Sequence, residues 1–272
     1  MKVIFDANGG DNPKEIIKGA VDASNEFNID IIFVGEENFI NDCLNDLDYD
    51  KDKISIVGAS QKIENDEDPA FALRKKKDAS IVVALNLLKE SKADAVISAG
   101  STGALLAGGL FLVGRIKGVK RAVLPTSIPG LKKSTMIIDS GANMDTDSIL
   151  LKQFAQMGSV YLKEYYNIDN PKIALLNVGS EKGKGNSLAK ETYELLENSN
   201  LNFIGNVEAR EITNTEADLV LCDGFVGNVL LKGIEGIAEF ILKSLFYTLK
   251  TGHGSDNEKQ FMSNILGNFS KK

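Results

Sequence analysis

Five glycine-containing turns carry the residue types that could handle an anion. They read Asp6-Ala7-Asn8-Gly9-Gly10-Asp11, Ser98-Ala99-Gly100-Ser101-Thr102-Gly103, Asp139-Ser140-Gly141-Ala142-Asn143, the stretch from Asn177 to Asn186 with Gly179, Gly183, Lys184 and Gly185 inside it, and Asp223-Gly224-Phe225-Val226-Gly227-Asn228. Each follows a short apolar run. A Gly-rich turn that opens a helix turns backbone N–H groups toward an anion, and the helix dipole adds to the attraction. Any one of these turns reads more simply as a tight strand–helix corner, where Gly is the common residue. Five of them, expected at one edge of a parallel sheet, favour a phosphate or other anion site.

Two nucleotide fingerprints fail. Counted from Gly179, the Walker A positions for Gly and Lys hold Lys184 and Gly185, in the wrong order. A dinucleotide G-x-G-x-x-G begun at Gly183 reaches Gly185 and then Leu188. Lys184 stands inside its turn, where an ammonium acts on a bound anion as a point charge. Arg74-Lys75-Lys76-Lys77 is the densest basic run, with further groups at Arg115, Lys117, Lys120 and Arg121 and at Lys132-Lys133. Most charge runs are solvated surface. On a chain of net charge −7, a local positive cluster can also steer an acidic partner or hold phosphate.

Scarcity narrows the chemistry further. The 272 residues include two cysteines, Cys43 and Cys222, and one histidine, His253. A disulfide framework, a four-cysteine zinc site and a multi-His metal site are therefore excluded, and a Ser-His-Asp or Cys-His mechanism would have to pass through His253. Lone cysteines fit a reducing cytosol. The acidic balance argues against sequence-general nucleic-acid binding.

These turns need a frame. Continuous apolar, β-branched runs at 2–5, 30–34, 54–57, 95–98, 122–126, 135–139, 172–178 and 217–222 read as strands covered on both faces. Helical patterns lie between them near 13–26, 36–45, 80–91, 103–114, 147–165, 186–198 and 227–249. Such alternation predicts an α/β fold with a mostly parallel sheet, and ligands then belong at the carboxyl ends of the strands. No repeat or Pro/Ser-rich linker divides the chain, so we expect a single domain over 1–272. The start, MKVIFDANGGD, is not a secretory signal. Residues 95–114 lack a charge for the length of a bilayer span, yet Gly100, Gly103, Gly108 and Gly109 interrupt them; a strand, a turn and a buried helix explain the stretch better. In 227–249, Leu230, Ile234, Ile237, Ile241 and Leu245 form an apolar stripe for core or dimer packing, with contact to a membrane surface as the sharper alternative.

In order along nearly the whole chain, DANGGD, ALRKKKDAS, DAVISAGSTGALLAGGLFLVGRIKG, DSGANMD, QMGSVY, LLNVGSEKGKGN, NFIGNVEAR, DGFVGNVLLK and GHGSDN resemble the blocks of the bacterial acyl-ACP:phosphate acyltransferases of phospholipid synthesis. The resemblance implies a three-layer α/β/α sandwich similar to the phosphotransacetylase and isocitrate dehydrogenase group. It implies reversible transfer of a long-chain acyl group from acyl carrier protein to inorganic phosphate, giving acyl phosphate that a membrane acyltransferase uses on glycerol 3-phosphate. A thioester is an activated donor and phosphate a competent nucleophile, so direct transfer needs orientation and oxyanion stabilisation rather than a Cys or His.

The resemblance marks Lys184 to hold phosphate and balance charge, and Asn228 to orient phosphate or donate to the oxyanion. Gly9, Gly10, Gly100, Gly103, Gly183 and Gly185 would let backbone approach the anion, with Ser101, Thr102 and Asn186 in the same turns. Asp6 and Asp11 read as turn organisers more than as general bases. His253 has a site role and a structural role open to it. Arg74, Lys75, Lys76 and Lys77 would dock the acidic carrier protein. We expect no cofactor, no metal and no nucleic acid. We expect a cytoplasmic homodimer with peripheral contact to the membrane and its glycerol-3-phosphate acyltransferase. Asn8 stands where that family usually has Met, and Leu249-Lys250 runs almost directly into Thr251-Gly252-His253, so the helical membrane-touching and dimer-forming segment expected near 250–251 is either deleted or closed up in the numbering. Rival readings are a phosphotransacetylase acting on a short acyl-CoA, a nicotinamide-dependent dehydrogenase of related fold, and a non-catalytic scaffold at the membrane surface.

Overall fold

The first apolar run forms β1 (Lys2–Asp6), and β2 (Asp30–Gly35), β3 (Ile54–Gly58) and β4 (Ala95–Ser98) join it in a wholly parallel sheet ordered β3-β2-β1-β4. Helices α1 (Pro13–Phe27), α2 (Glu37–Leu44), α3 (Pro69–Lys75), α4 (Ser80–Lys89) and α5 (Thr102–Gly108) belong to the same unit, Met1–Ala122. Successive strand side chains face opposite ways. Val3, Phe5, Ile31 and Phe33 therefore pack on Ile17 and Val21 of α1 and Ile40 of α2, while Ile4, Ile32 and Val34 pack with Ala84 of α4. Cover on both faces is why these strands are continuous apolar runs. In α1, Ile17, Ala20, Val21 and Ser24 are buried at helical spacing; Pro13 opens the helix and Asn28, at φ 57°, closes it.

The second unit is Val123–Lys272; the computed structural model describes residues 1–251 of the chain. Its sheet runs β5-β6-β9-β7-β8, from β5 (Thr126–Ile128), β6 (Thr135–Ile138), β7 (Ile173–Asn177), β8 (Phe203–Glu208) and β9 (Leu219–Leu221), parallel except for β5. Helices α6 (Ser148–Tyr166) and α7 (Ser187–Glu197) cover Ile138, Ile173, Leu175 and Leu219 through Leu151, Phe154 and Leu196. The opposite face, Ile137, Ala174, Val220 and Cys222, meets Leu230, Leu231 and Ile234 of α8 (Gly224–Thr251). Each unit is thus a helix–sheet–helix sandwich, in keeping with the expected α/β class.

Several details differ from expectation. The strands divide between two sheets, so the turns after β1 and β4 form one group and those after β6, β7 and β9 another. The strand expected at 122–126 begins only at Thr126, because Pro125 lacks the N–H that a ladder needs. Strand β8 was not foreseen: Gly205, at φ 102°, and Asn206 break its apolar pattern, and its register against β7 shifts between Ile173 and Leu175. Helix α3 is too short to show a period, although Asp68-Pro69 starts it, with the Asp68 carboxylate accepting from the Phe71 N–H at 2.7 Å. Residues 95–114 do form a strand, a turn and a helix, the helix passing from α5 into a π turn over Gly109–Val113. That helix is only half covered, with Ala104 and Gly108 buried and Phe111 and Val113 exposed. Among the described residues, no helix is long and apolar enough to cross a membrane.

Candidate active site

The turns after β6 and β9 of the second unit are built into one another. Asp139, fully buried at the end of β6, accepts from the N–H groups of Leu124, Gly141, Ala142 and Asn143 at 2.7–3.2 Å and from the Asn143 amide at 2.8 Å. Its charge is used to shape the turn. The Asn143 carbonyl accepts from Gly224 N–H at 2.8 Å, and a Cβ on Gly224 would lie 2.7 Å from that carbonyl oxygen, so the two turns close up only with glycine there. A Cβ on Gly227 would strike the Asp139 carbonyl oxygen. Asp223 caps α8 by accepting from Val226 N–H at 2.8 Å. Asn228, one turn into α8, lies against Gly141, where an added Cβ would sit 3.7 Å from Asn228 Cγ. No hydrogen bond holds the Asn228 amide among the described residues.

Lys184 is positioned by its backbone. Asn177, at the end of β7, donates to the Lys184 carbonyl at 3.1 Å, and Asn206 of β8 donates to the Glu181 carbonyl at 2.9 Å. Gly185 follows with φ at 93°, and a Cβ there would fall 2.6 Å from Asn177 Oδ1 and 2.7 Å from Ala189 Cβ. Asn186 caps α7, accepting from Ala189 N–H at 2.9 Å. Nothing crowds Gly183, so packing does not require glycine there. Lys182 is held by Glu197 at 2.5 Å and lies 5.5 Å from the Tyr193 ring centroid. The Lys184 side chain is exposed and carries no ion pair among the described residues.

The turns after β7 and β9 border a cavity of about 560 Å³. Leu175, Leu176, Leu188, Ala189, Val229 and Leu230 are among its walls, and Asn177, Gly185, Asn186 and Asp223 are its polar or glycine members. Neither Lys184 nor Asn228 is in the lining, but each is the chain neighbour of a residue that is, Gly185 and Val229. Cys222 also reaches the cavity, but burial, reinforced by the Asp223 and Asp139 carboxylates, pushes its thiol far above the usual range. It is protonated at neutral pH and a poor nucleophile.

The first unit holds its own cradle. Asp6 is 3% exposed and accepts from Ser98 Oγ at 2.7 Å through Oδ2, while Oδ1 has no partner. Ser98 Oγ in turn accepts from Gly100 N–H at 3.0 Å. A Cβ on Gly9 would sit 2.9 Å from both Asp6 Oδ2 and Gly100 N. Gly10, at φ 70°, approaches the Ala99 carbonyl, and its own carbonyl accepts from the Lys62 ammonium at 3.2 Å. Asp11 and Thr102 are exposed. Ser101 caps α5, accepting from Ala104 N–H at 3.3 Å, and Gly103 faces Pro69 so closely that a Cβ would lie 2.9 Å from its Cγ. Asn8 braces the turn, accepting from Glu36 N–H at 3.1 Å and donating to the Ala59 carbonyl at 3.3 Å.

The basic run divides. Lys76 donates to Glu67 at 2.6 Å and to the Lys62 carbonyl at 2.7 Å, and Lys77 donates to the Leu73 carbonyl at 3.3 Å, so these two hold local structure. Arg74 and Lys75 are exposed, with Lys75 Nζ 5.8 Å from the centroid of the exposed Phe71 ring. His253 lies outside the described residues. Asp139, Asn177 and Asn206 were missed as site builders. For Asp139 and Asn177 the signal was an acidic or amide residue at or just past a strand end with Gly two residues on, the setting in which such side chains bind nearby backbone, whereas Asn206 lies inside β8 and carried no such signal.

The fatty acid synthesis protein family matches residues 1–271. The chain is 51% identical over 240 residues to a phosphate acyltransferase of Clostridioides difficile, covering 88% of this chain and 71% of that one. It is 50% identical over 254 residues to a phosphate acyltransferase of Dictyoglomus turgidum, covering 92% and 76%. Among solved structures, the EutD phosphotransacetylase from Staphylococcus aureus superposes with a TM-score of 0.60 over 88% of this chain and 82% of that one, at 19% identity, a likeness of fold.

Proposed function

The chain belongs to the fatty acid synthesis protein family, and from that premise we propose that it moves a long-chain acyl group from acyl carrier protein to inorganic phosphate, making acyl phosphate for phosphatidic acid synthesis. It is an acyltransferase, as its phosphate acyltransferase relatives are. The observation that carries the finer reading is the pairing of an uncommitted lysine loop and the first turns of α8 around one apolar cavity, beside a cysteine too buried to act as nucleophile.

A phosphate oxygen attacks the thioester carbonyl carbon. The carbonyl oxygen becomes an oxyanion, the C–S bond breaks as it collapses, and the carrier thiolate leaves and takes a proton from water. The Lys184 ammonium holds phosphate and offsets its charge. The Asn228 amide orients phosphate or donates to the oxyanion, with the amino-terminal dipole of α8 behind it. Arg74 and Lys75 receive the acidic carrier protein. Exposed Ile237, Phe240 and Ile241 on α8 support pairing with a second copy and contact with a membrane surface, where a glycerol-3-phosphate acyltransferase would take the product.

The test is palmitoyl-loaded acyl carrier protein with and without phosphate. Phosphate-dependent release of carrier thiol, matched by acyl phosphate, is expected. Equal thiol release without phosphate overturns the proposal.

A further inference from the structure

We infer that the cavity at the carboxyl ends of β7 and β9 receives the acyl chain of the substrate, with the thioester carbonyl at its mouth between the Lys184 loop and the first turn of α8. This rests on the transfer reading above and adds to it the place where the chain is bound.

The lining offers little to a polar ligand. Asn177 uses its amide on the Lys184 carbonyl and its Oδ1 on Val178 N–H, Asn186 caps α7, and Asp223 caps α8. What remains is hydrocarbon from β7, α7 and α8. A pantetheine arm would bring amides and hydroxyls into that lining with few partners, which is costly, whereas an alkyl chain asks for none. The volume of about 560 Å³ is that of a real ligand site, since such pockets run from about 300 to 1,000 Å³.

Exposure points the same way. Phe225, Val226 and Val229 lie on the first turns of α8 and line the cavity, yet Val229 is 58% exposed, and Val178 beside them is 82% exposed. Apolar side chains clustered at one opening mark a site whose occupant covers them. The position also suits the chemistry: the loop and the helix that carry Lys184 and Asn228 also supply Gly185 and Val229 to the lining, so the cavity opens beside the elements that bear both polar residues.

The experiment uses the full chain with Val229→Trp, on the exposed side of α8, and Leu188→Phe, which enters from the α7 wall. Phosphate-dependent transfer is compared for carrier protein loaded with sixteen- and eight-carbon chains, and palmitate binding is measured by calorimetry. Each methylene denied burial costs about fourfold in affinity. Both variants are therefore expected to lower the ratio of long- to short-chain kcat/KM by about tenfold and to weaken palmitate binding. A ratio equal to that of the unsubstituted protein in both variants overturns the inference while leaving the transfer reading intact. If the unsubstituted protein shows no phosphate-dependent transfer, the reading fails, and the calorimetry decides the cavity: undiminished palmitate affinity in both variants then overturns the inference.

Discussion

Lys184 and Gly185 are neighbours with different reasons to be there. Lys184 has no ion pair among the described residues, so removing its charge should leave the fold alone and reduce catalysis. Lys184→Ala is expected to lower kcat/KM by about 10²–10³, the range for losing one preorganised electrostatic group, with an unchanged thermal midpoint. Gly185 has a purely steric reason. Its φ of 93° and the 2.6 Å approach of a Cβ to Asn177 Oδ1 predict that Gly185→Ala destabilises the loop by at least about 1–2 kcal/mol, read by urea unfolding and by loss of activity. The glycines at 9, 10, 100 and 103 were read from the sequence as anion-facing backbone. Contacts in the fold give each a packing reason in addition, since a Cβ at any of them would press on a neighbouring residue.

At the scale of elements, the caps decide where the site-bearing helices start. The periodic stripe of α8 could be read only from the first apolar repeat, while the true start is set by Asp223, a cap that leaves no period. Asp223→Ala is expected to cost about 1 kcal/mol and to loosen the turn that carries Asn228, lowering kcat more than it raises KM. An ion pair, Glu67 with Lys76, brackets helix α3. The Lys76 hydrogen bond draws the Glu67 carboxyl below its ordinary value, so the folded unit holds that group ionised more firmly than the unfolded chain does. The resulting stabilisation is fully present at neutral pH and is lost as pH falls through and below the ordinary carboxylate range, because the unfolded state then binds the proton first. The hydrogen-exchange protection of residues 61–76, taken relative to the intrinsic rate at each pH, should fall between pH 5 and about pH 3, and Glu67→Gln should remove that pH dependence.

For the molecule as a whole, charge sets the partner problem. A protein of net −7 repels an acidic carrier at long range unless a local positive patch receives it. Two of the four residues in the basic run are committed to internal contacts, so the docking role we propose rests on Arg74 and Lys75. Reversing both, Arg74→Glu with Lys75→Glu, is expected to raise KM for the acylated carrier by about tenfold, with kcat little changed, and to flatten the dependence of KM on salt.

Much was legible without coordinates. Continuous apolar runs separated by helical repeats determined an α/β fold with parallel strands, because strands covered on both faces must be apolar throughout. The poverty in Cys and His determined that any relay of such groups would have to pass through the single His253, since residue types that are scarce cannot be supplied by folding. Strand β8 stayed hidden because Gly205 and a register shift break its pattern. Only the tertiary structure decided that the turns divide between two sheets, and that Asn177 and Asn206, far from Lys184 in residue type and role, hold its loop. It alone placed an apolar cavity between α7 and α8. Leucines of a pocket and leucines of a core are the same residues in sequence, and only packing leaves one set uncovered.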